Sequence, residues 1–346
     1  MLLQKLEQEL NAKKLNSIYV LYGEEKYLLE NTVNKIKKIF GTLQEGINYA
    51  SLDETNVNNI IAEIETPSFG FDKKLVIVKK SGLLSKESKS KNQNTISKKL
   101  AEYVEKNFEI INQSVVIVII EEKVEKCTLL DVLKKLEEKN NVAICEFQKL
   151  KLNEIVVRLK KVCALYNVQV DENVLAYLVE ISGTSMQNLM NEIRKLIEYV
   201  GNDGKITKED VKLLATQEID NIIFNLTDSM GMKDTKKALD TLKDLIYLKE
   251  SLQGIMINLY RHFKKLYFIK LAEKEKNNIN IAELLDLKPN QMFLMTKYKK
   301  QSSYFSEKEL RISLRRMLEL EEKYKTGNID LEIGLEVLVV GTGNEE

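Results

Sequence analysis

Residues 17–30 read SIYVLYGEEKYLLE, and the fold is decided there. Ile18, Val20 and Leu21 form a short apolar run rich in β-branched residues. Gly23 breaks the run. An amphipathic pattern follows at once, with Leu28, Leu29, Thr32, Val33, Ile36, Ile39 and Phe40 on one helical face. Strand, tight glycine turn and helix are the usual opening of a nucleotide-binding α/β domain. A phosphate loop needs the spacing G-x-x-x-x-G-K-[ST], in which backbone N–H groups wrap the phosphates and a lysine reaches the outer ones. Here the turn is only Gly23-Glu24-Glu25-Lys26, without a second glycine and with two carboxylates where phosphates would lie. The scaffold is present and the phosphate chemistry is not.

The pattern continues on both sides of this stretch. Leu2, Leu3, Leu6 and Leu10 sit at helical spacing before it, and residues 48–52 read as a weak strand after it. Asp53 or Thr55 is placed to cap a helix carrying Val57, Ile60, Ile61 and Ile64, which Pro67 ends by disfavouring helix at Thr66. LVIV at 75–78 and VVIVII at 115–120 are continuous apolar runs of the kind buried on both faces of a parallel sheet. Ile96, Leu100, Tyr103, Val104 and Phe108 mark a helix between them. A helix at 129–136 and a strand at 142–147 complete a mainly parallel α/β domain over 1–148. Residues 79–95, KKSGLLSKESKSKNQNT, read as a solvated, lysine-rich loop, with a phosphate-contacting loop as the weaker reading. Glu121 and Glu122 read as strand-end charges, since a magnesium site has no phosphate loop to act with here.

Beyond residue 149 the strand signals stop. Leu152, Ile155, Val156, Leu159 and Val162 predict one helix. Asp171 is placed to cap another carrying Val174, Leu175, Leu178 and Val179. After a break at Gly183-Thr184-Ser185, a third helix carries Leu189, Ile193, Leu196 and Ile197. Thr207 caps a short one over 208–214, following a turn at 201–207. These form a small helical domain, 149–216. Residues 217–346 are helical almost throughout: stripes at Ile222, Ile223, Leu226 and Met230 and at Leu239, Leu242, Leu245 and Ile246 are core patterns. A long apolar helix carries Ile255, Ile257, Leu259, Phe263, Leu266 and Ile269. A polar turn at Asn277, Asn278 and Asn280 precedes a short helix, with Ile281, Leu284, Leu285 and Leu287, that ends before Pro289. Ser306 and Glu309 form an S-x-x-E capping box for a final long helix, with Leu310, Leu314, Met317, Leu318 and Tyr324 inward and Gly327 at its end; residues 331–340 are a closing apolar segment.

Composition narrows the function classes. The 346 residues are 44% hydrophobic and 30% charged, with a net charge of +1, which argues against a strongly basic nucleic-acid binder. Cys127, Cys145 and Cys163 are far apart and His262 is the sole histidine, so a zinc site and a Ser-His or Cys-His nucleophile lack their residues; no metal or cofactor is expected. The charged N-terminus lacks the apolar block of a signal peptide, and no run is long enough to span a membrane, so the expected location is cytoplasmic.

One segment stands apart. Pro67-Ser68-Phe69-Gly70-Phe71 is aromatic-rich and joins a helix end to a buried strand. The residues alone favour Phe69 and Phe71 folding back to close the core; the functional alternative leaves one phenylalanine exposed as an anchor for a partner's pocket.

Taken in order, the segments resemble the delta subunit family of the bacterial DNA polymerase III clamp loader over nearly the whole length. The resemblance rests on Y-x-L-Y-G-E-E-x-Y-L at Tyr19–Leu28, P-x-F at Pro67–Phe69 followed by K-L-V at Lys74–Val76, and G-T-S-x-x-x-L-x-N-E-I-x-K-L at Gly183–Leu196. Y-R-H-F-K-K-L at Tyr260–Leu266 and K-T-G-N-I-D at Lys325–Asp330 complete it. It implies an α/β plus all-α protein: an AAA+-like parallel-sheet domain over 1–148, a helical lid over 149–216 and a helical collar over 217–346. It further implies a non-catalytic subunit that binds the sliding clamp and opens one ring interface while sister subunits use ATP. The other loader subunits would pack on the collar, and primer-template DNA would be contacted within the assembled loader. An active AAA+ ATPase carries an arginine near the start of the lid helix after the glycine break; Met186 stands there, and Arg194 lies two turns on. The implied clamp-binding element is Ile64, Pro67, Ser68, Phe69 and Phe71. The family often has two bulky apolar residues in succession; here Ser68 precedes Phe69, so Phe69 is the main anchor and Phe71 supplies the second apolar group. The alternatives are a degenerate AAA+ nucleotide hydrolase, which turnover by the isolated chain would reveal, and a sequence-independent DNA-binding protein, which a steep salt dependence would reveal.

Overall fold

The computed structural model describes residues 3–85, 91–138, 141–217, 219–274, 280–287 and 291–341. It divides into two compact units, Met1–Lys149 and Leu150–Glu346. The first contains α1 (Leu3–Asn11), β1 (Ile18–Tyr22), α2 (Lys26–Phe40), β2 (Tyr49–Leu52), α3 (Ile60–Glu65), β3 (Lys74–Lys79), α4 (Lys91–Ser114), β4 (Val115–Glu121), α5 (Thr128–Glu137) and β5 (Val142–Glu146). Its five strands lie in the order β2-β3-β4-β1-β5, and every pairing is parallel. Parallel neighbours require long crossovers, which the intervening helices supply.

Side chains alternate across a strand, so the continuous apolar runs supply two buried faces. Ile18, Val20, Val76, Val78, Ile117 and Ile119 join one core with Ile60, Ile64, Leu100, Val104 and Leu133. The intervening residues Tyr19, Leu21, Leu75, Ile77, Val116 and Val118 are equally buried, on the face left to α1 and α2, whose Leu6, Leu10, Leu29, Val33 and Ile36 are also buried.

The turn after β1 is tight. Gly23 has φ +125°, and a Cβ there would lie 2.4 Å from the Phe147 carbonyl oxygen. The Phe147 N–H donates to the Tyr22 carbonyl at 2.7 Å, and the Glu25 N–H donates to the Phe147 carbonyl at 2.8 Å. Glycine is needed here both for its backbone angle and for its missing side chain.

Three expectations for this unit are corrected. No side chain caps α3: a single 3-10 turn, Val57–Asn59, leads into it, and the Asp53 carboxylate instead accepts from the Thr55 N–H and hydroxyl at 2.8 and 2.6 Å, a local turn. The expected solvated loop at 79–95 is not solvated in its first part, and α4 already begins at Lys91. Ser81, Leu83 and Leu84 are buried, and the Glu121 carboxylate accepts from the Ser81 N–H, the Ser81 hydroxyl and the Gly82 N–H at 3.1, 2.6 and 3.0 Å. Lysine density masked this apolar pair; residues 86–90 lie outside the described residues. Glu121 is thus a buried acceptor that ties the loop to β4, and burial pushes its carboxyl up. Glu122 is the exposed one, 3.7 Å from Lys80.

The second unit runs through α6 (Leu152–Leu165), β6 (Gln169–Val170), α7 (Glu172–Ser182), α8 (Met186–Val200), β7 (Lys205–Ile206), α9 (Lys208–Leu214), α10 (Ile219–Gly231) and α11 (Thr235–Tyr247). It continues with α12 (Leu252–Lys274), α13 (Ile281–Leu284), α14 (Leu294–Ser303), α15 (Glu307–Lys325) and α16 (Leu331–Gly341). The two-residue parallel pair β6–β7 is a departure from the expected all-helical reading; two residues carry no periodicity to read. Asp171 precedes α7 without a side-chain cap and pairs with Lys205 at 3.0 Å. The boxes at Thr207/Asp210 and Ser306/Glu309 form in both directions. Helix α14 went unread because its LMTKYKKQSS is mostly polar. Leu318, expected inward, is exposed, as is Ile257 of the long apolar helix. The expected turn at Asn277 and Asn278 and the stop at Pro289 lie outside the described residues.

The core from α10 to α16 gathers about Leu259, Phe263, Leu266 and Ile269 of α12. His262 is buried beside it, with Nε2 2.6 Å from Gln301 Oε1. The Gln301 amide donates to the Phe224 carbonyl at 2.8 Å and to Asp228 Oδ1 at 2.6 Å, so its oxygen faces the ring and His262 Nε2 carries the proton. Burial pushes the His262 pKa down from 6.5 to about 4.

Two outcomes follow. Gly23→Ala forces a methyl against the Phe147 backbone and lowers stability by about 2–3 kcal/mol, read as a lower urea midpoint; an unchanged midpoint would mean the turn relaxes freely. The unfolded chain protonates His262 near 6.5 and the folded chain only near 4, so its contribution to stability is fully present above the first value. That contribution, about 3 kcal/mol, is lost as pH falls from the first value through the second. Urea titrations of His262→Gln across that window should show a flatter pH dependence than wild type; equal slopes contradict the assignment.

Candidate protein-interaction site

The segment joining α3 to β3 is built from its ends inward. Ile60 and Ile64, one turn apart, bury one face of α3 in the sheet core. Pro67 bars helix at Thr66, whose backbone turns extended at φ −70°, ψ 119°. The Thr66 N–H and hydroxyl both donate to the Ala62 carbonyl, at 2.9 and 2.7 Å, and close the helix end. On the far side, Lys74 is almost fully buried and pairs with Glu63 of α3 at 2.7 Å. The Lys73 ammonium donates to the Asn112 carbonyl at 2.8 Å, and the Asn112 side chain accepts from the Ser17 hydroxyl.

Between these ends Ser68–Phe71 forms a closed turn. The Phe71 N–H donates to the Ser68 carbonyl at 3.1 Å, and the Ser68 hydroxyl donates to the Phe71 carbonyl at 2.9 Å. Gly70, at the third position, has φ +80°, the left-handed angle a type II turn requires there. Phe69 at the second position is carried on the outer side and is 75% exposed. Leaving such a ring in water forgoes about 1.5–3 kcal/mol of burial.

The expected site residues therefore separate. Phe69 and Pro67 are exposed, and Ser68 and Phe71 are half-buried. Ile64 is a correction: at 6% exposure it anchors α3 in the core and offers no surface. Packing of both phenylalanines, the reading the residues alone favoured, is overturned for Phe69, because the Ser68–Phe71 hydrogen bonds turn the chain before its ring can reach the core. The serine's part went unread, although Ser-x-Gly spacing after a proline is a turn signal. Glu63–Lys74 and Lys73–Asn112 are contacts between segments distant in sequence and left no local signal.

At the other end of the strands, the nucleotide position is closed. The Glu25 N–H is held by Phe147, and the Glu25 side chain, 2% exposed, lies 3.4 Å from the Lys149 ammonium. A neighbouring cavity of about 400 Å³ is lined by Lys26, Lys37, Lys79 and Lys80 together with Glu30, Glu121 and Glu122. Met186, the position at which the resemblance looks for an arginine, is buried, and Arg194 is exposed. Burial pushes the Cys145 and Cys163 thiols up to about 11, away from nucleophilic use. Among the described residues no group of three His, Cys, Asp or Glu side chains is placed to hold a metal, and no helix is long and apolar enough to cross a membrane.

Known proteins resemble the chain along most of its length. A family profile described as DNA polymerase III, delta subunit matches residues 19–148, and one described as DNA polymerase III delta subunit, C-terminal domain matches residues 220–342. The DNA polymerase III subunit delta of Bacillus subtilis is 25% identical over 339 residues, covering 96% of this chain and 94% of that one. The probable DNA polymerase III subunit delta of Aquifex aeolicus is 28% identical over 326 residues, covering 91% and 88%. The solved structure of the Bacillus subtilis DNA clamp loader delta protein shares the fold, with a TM-score of 0.72 at 24% identity over 98% of each chain. With the two profiles lying in chain order across the α/β unit and the C-terminal helices, the chain belongs to the DNA polymerase III delta subunit family.

Proposed function

We propose that the chain binds the ring-shaped sliding clamp and holds one ring interface open, without hydrolysing ATP itself, and that Phe69 is the principal anchor. The observation that carries this reading is the exposed Phe69 ring at the tip of a hydrogen-bonded turn whose two ends are tied to the core. A solvent-exposed aromatic on a pre-organised turn keeps its entropy cost low on binding and suits a hot spot. Phe71, half-buried beside it, supplies the second apolar contact. One phenylalanine contributes about 1.5–3 kcal/mol, too little to open a ring alone, so a wider contact surrounds it.

In this reading residues 1–148 carry the clamp contact, 149–216 form the lid and 217–346 form the collar that packs with the other loader subunits. Ile333, Val337 and Val340 recur along the exposed side of α16, an apolar stripe of the kind such packing covers. Primer-template DNA is contacted within the assembled loader. The hydrolase alternative loses support from the closed turn at Gly23 and Glu25.

Phe69→Ala should weaken binding of the cognate sliding clamp by about ten- to a hundredfold with an unchanged circular dichroism spectrum. Ser68→Ala retains the ring but releases the turn, and should weaken binding several-fold, with Ser68→Thr restoring it. Wild-type affinity in Phe69→Ala would move the contact elsewhere; no binding by the wild type would remove the reading itself.

A further inference from the structure

Strands β3 and β4 pair from Lys74 and Val115 onward, so the segments that lead into them lie side by side at one edge of the sheet. They are also tied to each other. Helix α3 packs on α4, and the Tyr103 hydroxyl of α4 meets the Glu65 carboxylate at the end of α3. On the far side of the Phe69 turn, the Lys73 ammonium donates to the Asn112 carbonyl at 2.8 Å. The turn is thus bracketed by two contacts with a single helix, at residues 103 and 112. Between those residues α4 bends. Asn107 leaves the helical region at φ −115°, ψ 19°, and its side-chain amide donates to the Tyr103 carbonyl at 3.0 Å. Leu100, Val104 and Ile111 are buried and Phe108 packs against the same core, keeping the four-and-three spacing of an inward face. Ile110 falls off that spacing and is 63% exposed.

A single exposed isoleucine is ordinary. This one stands on the segment beside the exposed Phe69 ring. We propose that Ile110 belongs to the surface that the sliding clamp covers, and extends the Phe69 contact from the turn onto α4. The inference rests on the clamp reading, and it names part of the wider contact that one phenylalanine requires. Neighbouring strands lie about 5 Å apart and packed helices about 10 Å. A stable interface covers about 800 Å² on each partner, a footprint far broader than those spacings. A partner that seats Phe69 in a pocket therefore also meets the end of α4. Because the turn and this helix end are joined through Glu65 and Lys73, they meet the partner as one pre-formed surface.

The test is calorimetric titration of the full chain with the cognate sliding clamp. Ile110→Asp, an exposed position that keeps the fold by circular dichroism, places a charge in the contact and weakens binding about tenfold or more. Ile110→Ala weakens it about three- to tenfold, and Ile110→Leu, which keeps the apolar volume, stays within about twofold of wild type. Wild-type affinity in Ile110→Asp, with Phe69→Ala weakened, would overturn this inference and leave the clamp reading standing. Unchanged affinity in Phe69→Ala, or no binding by the wild type, would overturn both. Sedimentation of the chain alone decides the other occupant. A dimer that Ile110→Asp dissociates, with clamp affinity unchanged, would assign this face to a second copy of the chain and overturn the proposal.

Discussion

The rest of the first unit depends on one constraint: five strands that all run the same way, buried on both faces. A parallel sheet has two unlike edges. Every strand of this sheet enters at one and leaves at the other, and every connection must cross back through a helix. The turn at Gly23 follows a strand and so belongs to the exit edge, where ligands of open α/β sheets bind. The turn at Phe69 precedes a strand and belongs to the entry edge. The direction of the strands therefore sets the closed nucleotide position and the exposed aromatic ring at opposite edges of the sheet.

Each edge has been adapted by local chemistry. At the exit edge, the backbone donor a phosphate would need is occupied by Phe147, a glycine permits that close approach, and the Glu25 carboxylate is buried beside Lys149. The occupied backbone donor argues against a phosphate wrapped by this turn. At the entry edge, the same kinds of force work to expose a side chain. Proline stops α3, a left-handed glycine turns the chain, and the Ser68 hydroxyl closes the turn. The pairing of buried Lys74 with half-buried Glu63 then fixes where β3 begins. Removing Glu63 would leave the Lys74 ammonium buried without its counterion, so the geometry around Phe69 is held by a contact that is costly to break.

Much of this was legible in the sequence, for physical reasons that differ by element. VVIVII at 115–120 and LVIV at 75–78 announced buried parallel strands because their apolar runs are continuous. The capping boxes at Thr207 and Ser306 announced helix starts because their donors and acceptors are local. The absence of phosphate-loop chemistry was readable at Gly23–Lys26 because that motif is contiguous. What was not legible depends on distant partners or on very short elements. Glu121 gave no sign that it would accept from Ser81 and Gly82, forty residues away, and β6–β7 is too short to show a period. Phe69 was the instructive case: hydrophobicity alone put it inside, and the turn geometry of its neighbours kept it out.

The central claim is that the entry-edge turn meets the clamp. Amide hydrogen exchange of the full chain, with and without the cognate sliding clamp, tests it without altering a residue. The account predicts slowed exchange across residues 66–74 and little change at the turn after β1. Protection that maps away from residues 66–74, with that segment exchanging as it does in the free chain, would contradict it.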